Sequence, residues 1–564
     1  METPFFGPFD VTRSTNVADN ILQNLFPELV DDKDGKNVGA LYGTPGLTLL
    51  SEVGDGPING ERTLANTQLY VVSGNVVYSL TSGYVATNLG VISGSGGRVC
   101  IVDSGTQIAF FTDTNCYVGP VGFPLVSGTI SAGGINYAVD DQIVLSNANG
   151  TQTAAAIIKV TGVTAGAVTA FVIIQTGAFP STPTSFGQQI TTGSGSGFIL
   201  SAPTFGGTQA LCQVFLPFAP PGGGQQMSAT FQDGFVLVGE PGTMTIWQSL
   251  STDISVYPPL NFAFANGESD YVVALYSIHR EVFVVKNRTT EVWNNAGTAG
   301  FAFQPLAAVL IEHGAVAWGT VARAGDTLLM LAQSSQGDGT VIGIEGFRAG
   351  RVSTHAVETL IANAGSLTNA FAYTYLQEGH QLYVLTINDL TLVYDQTTSR
   401  MAGIPMWYLW GYFSNGATGR HRGNAFSFFN ETLVLGDYQN GNLYSIDLSA
   451  LTDNGQPIQR MRSWRALQKP TMQPVRFSSV ELDLQTGVDV VTTAPQIVLD
   501  WSDDGGHNWS NQMIMAAGVQ GQTARRVRAN RLGSTKRNGG LDRIFRIQTT
   551  DAFGICFIGA EINV

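Results

Sequence analysis

Seven short apolar cores recur along the chain: Leu69–Val72, Ile108–Phe111, Phe235–Val238, Val282–Val285, Leu328–Leu331, Leu382–Leu385 and Leu433–Leu435. Their starts lie 39, 127, 47, 46, 54 and 51 residues apart, so one spacing of roughly 40 to 55 holds except at a single gap. Each core is followed by a turn of Gly, Asn or Asp and a further strand, as at Val76–Tyr78, Thr245–Trp247, Glu291–Trp293, Thr391–Tyr394 and Asn442–Ile446. Ser73-Gly74-Asn75, Lys286-Asn287-Arg288 and Ile387-Asn388-Asp389 are hairpin signals, because their residues tolerate positive φ. One such unit cannot bury both its faces alone. Stacked radially, the units share a core, and the expected fold is an all-β propeller of six or seven blades.

The 127-residue gap leaves an excess of about 80 residues over one unit, matching residues 125–207. That stretch is charged only at Asp140, Asp141 and Lys159, yet it has alternating runs at Gln142–Leu145, Ala155–Val160 and Ala170–Ile174. A small β domain inserted in a blade loop accounts for it better than a floppy low-complexity loop, because insertions there cost little. Residues 1–60 read as an irregular arm, with Pro27 and Pro45 favouring extended backbone before them. The expected order is therefore arm 1–60, propeller 61–124, insert 125–207, propeller 208–455 and a β-sandwich-like domain 456–564 behind a linker marked by Pro470 and Pro474.

Charged residues make up only 12% of the 564, with 67 glycines, which suits many turns and wide packed interfaces. The net charge of -14 is split: residues 1–459 carry -18 and residues 460–564 carry +4. An acidic body does not seek phosphate. No apolar run reaches the length of a membrane span, and the start lacks the pattern of a secretory leader, so folding in a cytosol is expected. Cys100, Cys116, Cys212 and Cys556 lie far apart and are expected as free thiols.

The six histidines are scattered, no metal-ligand spacing occurs, and the glycine-rich stretches lack a P-loop lysine, so neither catalysis nor a cofactor is expected. Ser502, Asp504, Gly506 and Trp509 form a turn resembling the Asp-box hairpin, with Asp504 accepting backbone N–H groups, Gly506 supplying positive φ and Trp509 packing beneath. This is expected to be structural. Its rival is a sugar contact, which would make the chain a glycan-binding or sialidase-like tail propeller. Against that, only one such box occurs, and it lies outside the propeller.

Arg525, Arg526, Arg528, Arg531, Lys536, Arg537, Arg543 and Arg546 crowd into 22 residues. They read either as a solvated hairpin or as a docking face for carboxylates or phosphates. The acidic remainder of a neighbouring copy is the nearest complementary partner.

Asn24-Leu25-Phe26-Pro27-Glu28, Thr44-Pro45-Gly46-Leu47, Leu392–Asp395 leading to Trp407, His421-Arg422-Gly423 to Gly436-Asp437, Gly441–Tyr444, and the ending Arg525–Arg528 through Gly559–Ile562 together resemble one family. It is that of the tail hub, or nozzle, proteins of short-tailed bacteriophages, also called packaged-DNA stabilisation proteins. The resemblance spans about 1–115 and 215–564 and leaves the insert outside. It implies a virion protein made and assembled in the host cytoplasm, a hexameric ring below portal and adaptor proteins, and a channel that retains and then passes double-stranded DNA without reading its sequence. It also implies attached tail fibres or spikes.

Overall fold

The structure is a computed structural model, and it describes residues 5–13, 18–30, 39–65, 67–147, 152–220, 222–466, 474–487, 493–535 and 543–564. Among these, antiparallel sheets follow one another as seven blades around an axis. Blade 1 runs Ile58–Leu64, Gln68–Ser73, Val76–Leu80 and Ala86–Val91, and blades 2 to 6 repeat that order. Each recurring apolar core is the second strand of a blade.

The reason lies in which way alternate residues point. Side chains on a strand alternate between faces, and both faces of a blade meet another blade. Thus Leu69 and Val71 pack toward blade 7 with Val434 and Leu443, whereas Tyr70 and Val72 pack toward blade 2 with Ile108 and Phe110. Ala109 and Phe111 then meet Val236 and Val238 of blade 3. Leu237 meets Val282 and Val284, Phe283 and Val285 meet Leu328 and Met330, and Tyr383 of blade 6 turns back to blade 5, its hydroxyl donating to Thr320 O at 2.9 Å. One parity of every core serves each neighbour.

The wheel is closed by a strand from far upstream. Blade 7 takes Gly423–Phe429, Thr432–Asp437 and Asn442–Asp447 in sequence, and its fourth strand is Gly46–Glu52, from before blade 1. The inner strands of blades 7 and 1 then lie side by side, with Asn424 Nδ2 donating to Ile58 O at 2.7 Å and the hydroxyls of Thr63 and Ser427 2.8 Å apart.

The arm is therefore strand, not irregular chain. Leu22–Gln23 bridges blade 6 to Arg460–Arg465, while Leu25–Leu29 and Gly39–Gly43 pair with each other and, through the second, with Cys556–Asn563. Asn24, fully buried at φ 52°, fastens the crossing: it donates to Gly411 O and Gln459 O and accepts from Gly411 N.

The C-terminal part is a sandwich. One layer continues blade 6 through Leu22–Gln23, Arg460–Arg465, Ile544–Thr549, Gln496–Ser502 and Met513–Ala516; the other joins Leu25–Leu29, Gly39–Gly43, Cys556–Asn563, Ser479–Leu484 and Val527–Asn530. Between them Phe5, Trp464, Phe477, Phe545 and Phe557 pack edge to face. The expected separation by a linker does not describe this arrangement, because hydrogen bonds weld the sandwich to a blade. Pro470 falls outside the described residues.

The excess of blade 2 lies between its third strand, Cys116–Gly122, and its fourth, Ala210–Val214. Six strands there form one sheet, from Leu125–Ile135 at one edge to Ala167–Gln175 at the other. The sheet curls until these edges meet, where a Cβ on Gly133 would lie 2.6 Å from Val168 O. Leu145, Ile158, Phe179, Phe186 and Leu200 fill its interior.

Candidate functional site

The basic hairpin is built on strand Val527–Asn530, which pairs with Ser479–Leu484. Alternation sends Val527 and Ala529 into the core and leaves Arg526 and Arg528 outside. Arg526 grips Glu481 through two hydrogen bonds of 2.6 and 2.5 Å, and Arg528 donates to Ser479 Oγ at 2.7 Å. This clamp holds the Glu481 carboxyl below its usual range.

The cluster divides further. Arg543 is buried, paired to Asp503 at 2.5 and 2.6 Å, and stacked over Phe477. Arg546 pairs with Asp500 at 2.9 and 2.7 Å and lies 3.7 Å from the centre of the Trp509 ring. These two hold sandwich strands together and offer no charge outward. Arg525 and Arg531 are exposed and make no ion pair among the described residues. Lys536 and Arg537 lie outside the described residues. Burial and pairing separate a docking arginine from a structural one, and a run of letters shows neither.

The 502–509 turn satisfies its own backbone. Asp504 accepts from Asn508 N at 2.8 Å, Asn508 Nδ2 at 2.6 Å and Ser502 Oγ at 2.7 Å, and these bonds hold its carboxyl at about 2. Ser502 Oγ in turn accepts from Gly506 N at 2.8 Å, with Gly506 at φ 91°. The Asp504 carboxylate and the Ser502 hydroxyl are thus engaged within the turn, and one face of Trp509 is covered by Arg546.

At the propeller axis the inner strands enclose a cavity of about 560 Å³. Its wall carries Glu61, Arg98 and Tyr373, all buried. Neither carboxylate oxygen of Glu61 has a hydrogen-bond partner among the described residues, and burial keeps this acid well above its ordinary range despite nearby Arg98. Arg98 lies 4.1 Å from the centre of the Phe371 ring; burial, aided by Arg420 across the same ring, pushes it down to about 9. The sequence reading missed this group. Its members stand at 61, 98 and 373 on different blades, so no local motif marks it. A cavity of this volume is far too small to pass a duplex.

Among the described residues no three His, Cys, Asp or Glu cluster as metal ligands. His421 is buried against Trp410, its ring centre 3.8 Å away, and desolvation drives it down to about 3. The four cysteines are free; Cys100, Cys116 and Cys212 are buried and Cys556 is half-buried.

Comparison with known families supplies the decisive observation. Residues 155–450 match the family model described as bacteriophage P22 Gp10, β-propeller, and residues 460–564 match bacteriophage P22 Gp10, β-sandwich. The chain belongs to the bacteriophage P22 Gp10 family. This is the tail-nozzle family of short-tailed phages that the residues resemble, and the chain is a phage structural tail protein. The propeller match begins inside the insert, so blade 1 and most of blade 2 lie ahead of it.

No curated protein matches. Among solved structures, the Neurospora crassa Pan2 WD40 domain aligns at 9% identity over 74% of this chain and 97% of its own, with a TM-score of 0.32. Kluyveromyces lactis Hsv2 aligns at 10% identity over 63% and 97%, with a TM-score of 0.27. Apo AztD from Citrobacter koseri aligns at 9% identity over 71% and 95%, with a TM-score of 0.28. Likenesses this slight add nothing to the family assignment.

Proposed function

We propose that the chain is a nozzle subunit that assembles with copies of itself, six to a ring, below portal and adaptor proteins. The ring's bore retains packaged DNA and passes it during ejection. The observation that carries this reading is the paired family match, propeller then sandwich, over most of the chain. Two further features support it. A propeller axis with room only for a cavity of about 560 Å³ leaves a bore between subunits as the route for a duplex, and a head-to-tail interface whose rotation closes generates such a ring. The charge split gives each copy an acidic body and a basic end, so neighbours attract. A bore lined by acidic blades would bind phosphate weakly and let DNA slide. The outward insert is the natural seat for fibres or spikes.

Among the described residues, Arg525 and Arg531 are exposed cations of this face that make no ion pair. Arg525→Glu with Arg531→Glu should leave a folded monomer, by circular dichroism and melting, that no longer forms rings in electron micrographs. Wild-type rings should loosen as salt is raised. Rings that persist in the double variant would reject the basic face as the contact, and a wild-type chain without rings, alone or on particles, would reject the nozzle reading.

A further inference from the structure

A second cavity, of about 420 Å³, lies where arm, propeller and sandwich meet. Its deepest charge is Arg460, on the strand that continues blade 6 into the sandwich. Arg460 is 2% exposed, yet its Nε and one terminal nitrogen have no hydrogen-bond partner, and no carboxylate lies within ion-pair distance among the described residues. An unpartnered buried guanidinium is costly and is ordinarily met by an anion. The wall is shaped to this group: a Cβ on Gly43 would stand 2.7 Å from Nε and 3.3 Å from Cζ, so glycine lets the guanidinium lie flat on the strand. Beside it the Thr44 hydroxyl, also buried and lining the cavity, lacks a partner.

The acid that acts on Arg460 among the described residues does not fulfil the role. Asp453 is buried, one of its oxygens is unpaired, and desolvation lifts it to about 7 against the pull of Arg460 and Arg422. Near neutrality it carries only part of a charge. The rim adds a selection rule: Glu28 and Glu378 line the opening, so a polyanion is repelled there while an uncharged or cationic stem is accepted. Phe26, Leu448 and Phe553 supply apolar wall for such a stem.

From this geometry we propose that the cavity binds a single carboxylate on an uncharged or cationic stem, with Arg460 and the Thr44 hydroxyl as its donors. The volume suits a small monocarboxylic acid or the last residues of a polypeptide. Because arm, propeller and sandwich all line the cavity, an occupant would clamp the three together.

Calorimetric titration of the full-length protein with propionate, succinate, triglycine and triglycine amide tests this. Propionate and triglycine should saturate one site per chain, succinate should bind roughly tenfold more weakly, and the amide should not bind. Saturation by triglycine alone identifies a chain terminus as the source, and equal saturation by propionate a free acid. Gly43→Ala and Arg460→Lys should each weaken binding about tenfold, while Lys159→Ala, in the insert, leaves it unchanged. Where a variant fails to fold, ligand-induced hydrogen-exchange protection of residues 39–46 in the wild type locates the site. Absence of saturable binding by every acid, equal binding of the amide, or protection elsewhere only would each overturn the proposal.

Discussion

At the scale of single residues, buried charge is where the chain departs most from its apolar pattern. Lys286 is fully buried between Asp270 at 2.7 Å and Glu291 at 2.9 Å, and also donates to Glu268 O. Glu291 further accepts from Gly267 N and Trp293 Nε1, so one lysine organises the whole end of blade 4. Lys286→Met strands two buried carboxylates and should cost about 3–5 kcal/mol, read as a lowered melting temperature. The sequence shows Lys286 only as the first residue of a hairpin turn; its partners are set by folding. Burial opposes the ionised Asp270, but the Lys286 bond and the N–H groups of Arg288 and Thr289 win and hold it below the ordinary value. A carboxyl depressed in the folded state stabilises above its unfolded value and loses that contribution as pH falls through the folded one. Acid below about pH 4 should therefore destabilise wild type more than Asp270→Asn.

His380 has the opposite sign. Burial pulls its pKa down, but a 2.6 Å bond to Asp395 and the nearby Glu28 raise it above the ordinary value; the Thr398 hydroxyl and the Phe26 ring complete its surroundings. Its imidazolium joins blade 6 to the arm. That stabilisation is complete below about pH 6.5 and is lost as pH rises through the folded value. Thermal melts of wild type should fall between pH 6 and 9 relative to His380→Gln, whose curve should stay flatter; parallel curves would remove the charge from the argument.

At the scale of elements, the seven second strands were legible because both of their faces are buried, which leaves unbroken apolar runs that need no partner to be recognised. Leu329, fully buried between blades 5 and 6, illustrates the cost of interrupting one: Leu329→Ala should lower stability by about 2–5 kcal/mol, measured by denaturant unfolding. The arm was not legible, since Leu22–Gln23 is fixed by strands more than 380 residues away and the hairpin of Leu25–Leu29 with Gly39–Gly43 is seated through Cys556–Asn563. The seating of the insert was equally hidden. Gln175, 1% exposed, donates to Ala155 O at 2.8 Å and Ser255 O at 2.9 Å and accepts from Phe215 N at 2.7 Å, which ties the inserted sheet to blades 2 and 3. Gln175→Leu should unpair these groups, each worth about 1–3 kcal/mol, and speed hydrogen exchange at Phe215, whose N–H it leaves without its acceptor, while blades 4 to 6 stay protected.

At the scale of the whole molecule, closure and rigidity depend on the same upstream segment. Strand Gly46–Glu52 completes blade 7, and the strands ahead of it complete both layers of the sandwich, so residues read as an appendage hold the ends of the fold together. Without Gly46–Glu52, the strand Asn442–Asp447 presents an open edge, and the core that Leu69 and Val71 share with blade 7 loses Leu50. Removing residues 1–45 and removing residues 1–52 should therefore differ in kind. The shorter deletion strips the sandwich of its arm strands, so the sandwich should lose protection from hydrogen exchange while blades 1 to 4 keep theirs. The longer one also opens the wheel, and protection should fall at Thr432–Asp437 and Gln68–Ser73 together, on opposite sides of one seam although 364 residues separate their starts. Equal exchange at that seam in both deletions would mean that the wheel is held shut by its inner strands alone, through contacts such as Asn424 to Ile58, and not by the borrowed strand.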